Sequence, residues 1–334
     1  MCAATNGTNL SDPVSLGRLL TRLEDNPAAA REVLAGLPAP PPGTHRIGIT
    51  GSPGVGKSTL LGRLIHRYRC DDLKVGVVAV DPTSPLTGGA ILGDRIRLGD
   101  VQSDPDVFIR SLGSRGSLGG VTPGASAVAS TLESAGYRRI LIETVGVGQT
   151  GYDVICLADT VIALFSPEAG DGVQLLKAGI LEVGDIFVVN KSDRPGAELM
   201  YKEISQSLDI AQLTAADRLH HGPAPPQEEL PEAPTDGWQP PVLAVSARDD
   251  EGIADVQAAA ERHREWLAGL PADHPRRRQR ISRELGFVLR SRVSRALEMK
   301  LAGRVEQLAA RVYHEELALW EAVDELRRDL RDLL

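Results

Sequence analysis

The sequence predicts a doubly wound α/β fold, a P-loop nucleotide-binding domain with helical segments at both ends. Three observations lead there. Short apolar, β-branched runs alternate with helical stretches between residues 44 and 252. Several of these runs are apolar throughout, as parallel strands are when helices cover both faces of the sheet. The first run leads directly into Gly51-Ser52-Pro53-Gly54-Val55-Gly56-Lys57-Ser58-Thr59, a complete phosphate-binding loop that opens a helix.

Residues 1–43 read as a helical lead-in. Asp12-Pro13 and Asn26-Pro27 each pair an N-capping side chain with proline at the first helical position. Leu16, Leu19, Leu20 and Leu23 then form one apolar stripe, and Val33, Leu34 and Leu37 a second. Pro38 to Gly43 is a proline-rich break. The candidate strands follow as Ile47–Thr50, Val75–Val80, Val107–Ile109, Ile140–Glu143, Val161–Phe165, Ile186–Val189 and Val242–Val245. In such a sheet, ligands sit at the carboxyl ends of the strands. Between Ala211 and Pro241 the composition turns to Pro, Glu, Gln and His, which reads as a surface insertion.

Residues 253–334 read as a helical arm. Leu285, Leu289, Val293 and Leu297 fall four apart. Val305, Val312, Leu319, Leu326 and Leu333 fall seven apart, and Ala309, Val323 and Leu330 fill a second seam that Glu316 interrupts. This coiled-coil-like spacing predicts a long helical arm packing on a second copy or on the chain's own nucleotide domain.

Composition narrows the function classes. Of 334 residues, 42% are hydrophobic and only 4% aromatic, so the core is built from Leu, Val, Ile and Ala. A formal charge of −8 argues against general affinity for nucleic acid or anionic membrane. From Pro275 onward, 14 Lys+Arg against 10 Asp+Glu give +4, leaving −12 for the rest. The basic run Arg276-Arg277-Arg278-Gln279-Arg280 reads as a solvated helix entrance or a salt-bridged surface. Cys2, Cys70 and Cys156 have no metal-ligand spacing and cannot all pair, which fits a reducing compartment. The N-terminus has neither secretory nor transit-peptide character, and no apolar run approaches the roughly 18 residues of a membrane span. A cytoplasmic location is expected.

The chemistry-bearing residues point to a guanine nucleotide with Mg²⁺. Glycines in the 51–56 loop let backbone N–H groups converge on phosphates, helped by the positive end of the following helix. Lys57 is expected to reach the β/γ-phosphates and the Ser58 hydroxyl to ligate Mg²⁺. Asn190-Lys191-Ser192-Asp193 follows an apolar strand about 130 residues later. The Asp193 carboxylate can accept from guanine N1–H and N2–H₂, two donors that adenine lacks, so adenine would leave it unpaired. Asn190 and Lys191 would orient this loop and cover the base. Ser246-Ala247-Arg248, also just past a strand, suits a backbone contact to guanine O6. Asp81 and Glu143 end strands near the loop, and Asp94 closes Gly88-Gly-Ala-Ile-Leu-Gly-Asp94; all three suit a Mg²⁺ site. In Glu143-Thr-Val-Gly146, the Gly146 N–H can donate to the γ-phosphate and register its loss.

These residues carry a family resemblance. Val80-Asp81-Pro-Thr-Ser-Pro85, Gly88 to Asp94, Gly116-Ser-Leu-Gly-Gly-Val121, Glu143-Thr-Val-Gly-Val-Gly-Gln149, and Gly170-Asp171 with Gln174 and Lys177 are similar to the methylmalonyl-CoA mutase-associated GTPases. These are G-protein chaperones of adenosylcobalamin-dependent acyl-CoA mutases. The resemblance covers roughly Ile47 to Ile253. It implies GTP hydrolysis accelerated by a partner mutase, and a homodimer joined through the arm. Adenosylcobalamin enters only through the mutase, whose cofactor loading and protection are gated by hydrolysis. It further implies that Asp81, Asp94 and Glu143 serve Mg²⁺, and that the loop with Asp171, Gln174 and catalytic Lys177 is a switch facing the mutase. Gln149 sits where a water-positioning glutamine would. Ser166-Pro-Glu168 and Gly172-Val173 depart from the family's usual switch sequence.

Three other readings compete. A nickel or other metal chaperone would carry a His-rich tract or a Cys motif, whereas only His220 and His221 are adjacent here. A P-loop small-molecule kinase would not need Asp193. A nucleotide-dependent binding module would lack turnover.

Overall fold

The computed structural model describes residues 9–25, 27–81, 101, 103–113, 123–144, 156–168, 181, 184–218 and 237–331. All seven expected strands are present, each extended by a residue or more or kept at its expected bounds: β1 (His45–Gly51), β2 (Val75–Asp81), β3 (Val107–Gly113), β4 (Arg139–Thr144), β5 (Thr160–Phe165), β6 (Ile186–Asn190) and β7 (Val242–Val245). They form one sheet in the order β3-β2-β4-β1-β5-β6-β7, with every pair parallel. β5 and β6 are buried along their whole length, which explains their unbroken apolar runs. β1 lies between β4 and β5, so the loop after Gly51 leaves the sheet where the strand order diverges.

Helices cover both faces. On one face, α3 (Lys57–Cys70) buries Leu60, Leu61, Leu64 and Ile65 against Ile47, Ile49 and Val77. On the other, Ile204 and Leu208 of a helix from Ala197 to Arg218 join Phe165, Phe187 and Val189. The N-terminal helices, α1 (Pro13–Asp25) and α2 (Pro27–Ala35), pack on α4 (Pro123–Ser134). Asp12 caps α1 as its position foretold, accepting from the Ser15 N–H at 2.8 Å. Residues 211–218 continue the Ala197–Arg218 helix (α5), so the segment read as insertion from Ala211 is helical at its start; residues 219–236 lie outside the described residues.

The expected boundary at 252 moves. The first compact unit runs to Glu284, and the second spans Leu285–Leu334. Helix α6 (Ile253–Gly269) belongs to the first because Ile253, Val256, Ala259 and Ala260 are buried in the same core as α3 and β1. The arm helix α7 (Pro275–Tyr313) begins in that unit, and its first turns are ionically fastened there. Arg276 pairs with Asp185 at 2.9 Å, Arg280 with Asp159 at 2.9 Å, and Glu284 with Arg46 at 2.9 Å. Part of the basic run is thus consumed by acids at the amino ends of the strands.

In the second unit, the seven-residue seam is not one helix. α7 ends at Tyr313, and α8 (Leu319–Arg331) starts after a turn in which Glu315 adopts φ of 58°. The seam from Val305 to Leu333 therefore crosses a break between Val312 and Leu319. Arg304 pairs with Glu325 and Asp329 at 2.9 Å each, and Arg311 with Glu325 at 3.1 Å, tying α7 back onto α8. Charge pairing between the two helices, which a search for apolar periodicity does not register, accompanies this turn.

Candidate nucleotide site

The loop between β1 and α3 needs glycine at two points for distinct reasons. Gly54 and Gly56 have φ of 78° and 98°, the left-handed region that glycine enters without strain. At Gly56 a Cβ would also collide with the side-chain amide of Asn190. Lys57 is buried and donates through Nζ to the Gly51 carbonyl at 2.8 Å and the Ser52 carbonyl at 3.0 Å. The ammonium is thereby folded over the loop, within reach of anything the loop's N–H groups hold.

Ser58, the second residue of α3, donates its hydroxyl to Glu143 Oε1 at 2.9 Å. Glu143 is buried near the end of β4, in register with Ile49 of β1 and Ala79 of β2. This hydroxyl–carboxylate pair is an all-oxygen donor set of the kind a hard divalent cation takes. Asp81 closes β2, level with Gly113 of β3, while its side chain lies outside the described residues. Asp94, Gly146, Gln149, Asp171, Gln174 and Lys177 also lie outside them. Among the described residues, no group of three or more His, Cys, Asp or Glu could hold a metal ion.

Asn190 joins three loops. Its amide donates to the Val55 carbonyl of the phosphate loop at 2.7 Å, and its Oδ1 accepts from the Ala247 N–H at 3.0 Å. Both atoms lie on a buried side chain, so the bonds are shielded from water. The Ser192 N–H donates to the Val245 carbonyl at 2.9 Å, a second tie between the loops after β6 and β7. Lys191, with φ of 59°, extends toward Glu168 just past β5 and pairs with it at 2.7 Å. That contact holds the Glu168 carboxyl below its ordinary range. Asp193 is approached by Arg248 at 3.3 Å, Arg194 at 3.4 Å and the Ser246 hydroxyl at 3.3 Å. The structure thus brings the 51–59, 190–193 and 246–248 segments together at one end of the sheet.

Sequence motifs single out neither Asp249 nor the ion pair of Glu168 with Lys191, and although Asn190 is expected to orient its loop, its bridge to the phosphate loop depends on a partner 135 residues away. At the opposite end of the sheet a buried relay also went unseen. The Thr160 hydroxyl lies 2.6 Å from His45 Nε2 and 2.6 Å from His263 Nδ1, and Trp238 and Trp266 flank His263 with ring centroids at 4.6 and 5.3 Å. Residues separated by more than a hundred positions leave no periodic signal to find.

A phosphate loop leaving the central strand of a parallel sheet, with an Asn-Lys-x-Asp loop bonded to it, defines a P-loop GTPase. The family model of the methylmalonyl-CoA mutase-associated GTPase MeaB matches residues 16–302, and the chain belongs to that family. A Pyrococcus abyssi protein named a GTPase is 38% identical over 320 residues, covering 96% of this chain and 93% of its own. A Mycobacterium tuberculosis protein named a GTPase is 40% identical over 271 residues, covering 80% of this chain and 76% of its own. The crystal structure of an LAO/AO transport system kinase matches over 98% of this chain and 96% of its own, with a TM-score of 0.62 at 24% identity, a likeness of fold. Among the described residues, no helix is long and apolar enough to cross a membrane.

Proposed function

We propose that this GTPase is a Mg²⁺-dependent chaperone of an adenosylcobalamin-dependent acyl-CoA mutase, in which GTP hydrolysis gates cofactor loading and protection. The observation that carries the reading is the joining of the phosphate loop to the base loop through Asn190, in a chain whose family is named for its association with a mutase. The N–H groups of residues 51–56 and the start of α3 receive the phosphates, and Lys57 offsets their charge. Ser58 and Glu143, with Asp81 and Asp94, would hold Mg²⁺, which when bound neutralises charge on the β- and γ-phosphate oxygens. Asp193 reads guanine N1–H and N2–H₂. The Ala247 N–H is engaged by Asn190, so the contact to guanine O6 falls to the neighbouring Arg248 N–H. Gly146 senses the γ-phosphate, and the loop carrying Asp171, Gln174 and Lys177 answers to the mutase. The protein works as a homodimer, in the cytoplasm.

Steady-state phosphate release, with and without a cobalamin-dependent mutase of the same organism, tests the proposal. Stimulation of wild type, blunted by Lys177→Ala with basal hydrolysis nearly retained, is expected. Absence of stimulation by any such mutase would overturn the chaperone assignment. Equal stimulation of both proteins would remove Lys177 from the switch.

A further inference from the structure

We infer that Asp249 is a positioning residue for base selection: it holds Arg248 and the Ser246 hydroxyl, which would otherwise occupy the carboxylate of Asp193. The inference rests on the reading of Asp193 as the guanine-binding acid. Guanine presents two donors to that acid, so both oxygens must be open to it. Yet Oδ1 lies 3.3 Å from the Ser246 hydroxyl, and Oδ2 lies 3.3 Å from Arg248 Nη2 and 3.4 Å from Arg194 Nε.

Each of these competitors has a second acid. Arg248 forks onto Asp249, with Nε 3.0 Å from Oδ1 and Nη2 2.9 Å from Oδ2, both shorter than its approach to Asp193. The Ser246 hydroxyl has a single proton and lies 2.6 Å from Asp249 Oδ2, so its donation goes there. Arg194 reaches Glu168 Oε1 at 3.5 Å, and Glu168 in turn is held by Lys191. A bidentate guanidinium–carboxylate fork is the stronger geometry, so Arg248 can leave Asp193 without losing its ion pair. The same contacts hold the Asp249 carboxyl at about 2, fully charged at any physiological pH. Asp249 also sits in the tight turn after β7, donating its N–H to the Ser246 carbonyl at 3.2 Å, which fixes it beside the base loop. Without its charge, Asp193 becomes the acid nearest to Arg248.

Calorimetry with GDP tests this in the full chain. Asp249→Asn keeps the size of the side chain and an acceptor for Ser246 but removes the charge. It is expected to bind GDP about three- to fivefold more weakly, the scale of an exposed ion pair redirected onto the reading acid. Arg248→Ala is expected to bind more tightly than wild type, and Asp249→Asn with Arg248→Ala to recover the lost affinity. Wild-type affinity in Asp249→Asn, or a double variant as weak as Asp249→Asn, overturns the inference, since a merely structural defect is not rescued by removing Arg248. If Asp249→Asn fails to fold, Arg248→Ala decides alone, and weaker GDP binding by it counts against the role. Asp193→Asn, measured with GDP and xanthosine diphosphate, keeps the two readings apart. If it binds GDP as wild type does, the base assignment fails; if it shifts preference to the xanthine base while Asp249→Asn is silent, only the Asp249 role fails.

Discussion

Ser58 and Glu143 meet at 2.9 Å although 85 positions separate them, and Ser58 directly follows Lys57 where the phosphate loop opens into α3. Glu143→Ala would leave the hydroxyl without its carboxylate and remove an oxygen donor from the proposed Mg²⁺ site. Its GTP turnover is expected to fall by about 10²-fold or more, the scale on which removing one electrostatic contributor from a site acts. Phosphate release across a series of Mg²⁺ concentrations checks this, and wild-type rates throughout would dissociate Glu143 from the metal. His45 offers a residue-scale test of stability. Burial, partly opposed by the Asp159 carboxylate, pushes its imidazole down to about 4. A folded-state value below the unfolded one means that the unfolded chain takes up the proton first. The contribution of neutral His45 is therefore complete above about 6.5 and lost as pH falls toward 4. Thermal melts from pH 7 to 4 should show stability declining over that window. His45→Asn should make the decline shallower by up to one proton, and an unchanged slope would contradict the assignment.

At the scale of elements, the start of α7 is held by a network that crosses the first unit. Arg46 is buried on β1 and forks onto Glu133 of α4, with Nε to Oε1 at 2.8 Å and Nη2 to Oε2 at 2.6 Å. Its remaining nitrogen reaches Glu284, which also accepts from Ser126 at 2.6 Å and from Arg280 at 3.0 Å. Removing one member leaves a desolvated charge behind, which costs more than the pair contributes. Glu133→Ala is expected to lose about 3 kcal/mol in urea unfolding, whereas a loss under about 1 kcal/mol would mean that water or Glu284 compensates the Arg46 guanidinium.

On the scale of the molecule, the second unit carries a stripe of exposed apolar side chains. Leu285 and Leu289 are 66% and 64% exposed, with Val293 one further turn along. Spaced by four, they share a face of α7. A contiguous apolar face of this kind marks an interaction surface, and the proposed homodimer would bury it. The double substitution Leu285→Glu with Leu289→Glu should give a single-copy mass by light scattering while GTP binding persists. A dimer that survives it would place the interface elsewhere.

How much of this was legible beforehand depends on the range of each interaction. The seven strands, the phosphate loop, the Asn-Lys-Ser-Asp loop and the Asp12 cap are local patterns, set by side-chain periodicity and by the backbone freedom of particular residues. The sequence alone therefore determined the sheet, the end of it at which the three loops meet and the class of nucleotide chemistry. It determined neither where the arm begins nor how it turns: α6 joins the core through four buried apolar residues, and after Tyr313 the chain turns so that α8 pairs with α7. Only the tertiary structure decided that Asn190 would reach Val55, that two histidines would share Thr160, and that Asp249 would stand beside Asp193. The reason is physical. These bonds join groups brought together by strand order in a parallel sheet, and that order is fixed by the packing of crossover helices, not by neighbours along the chain.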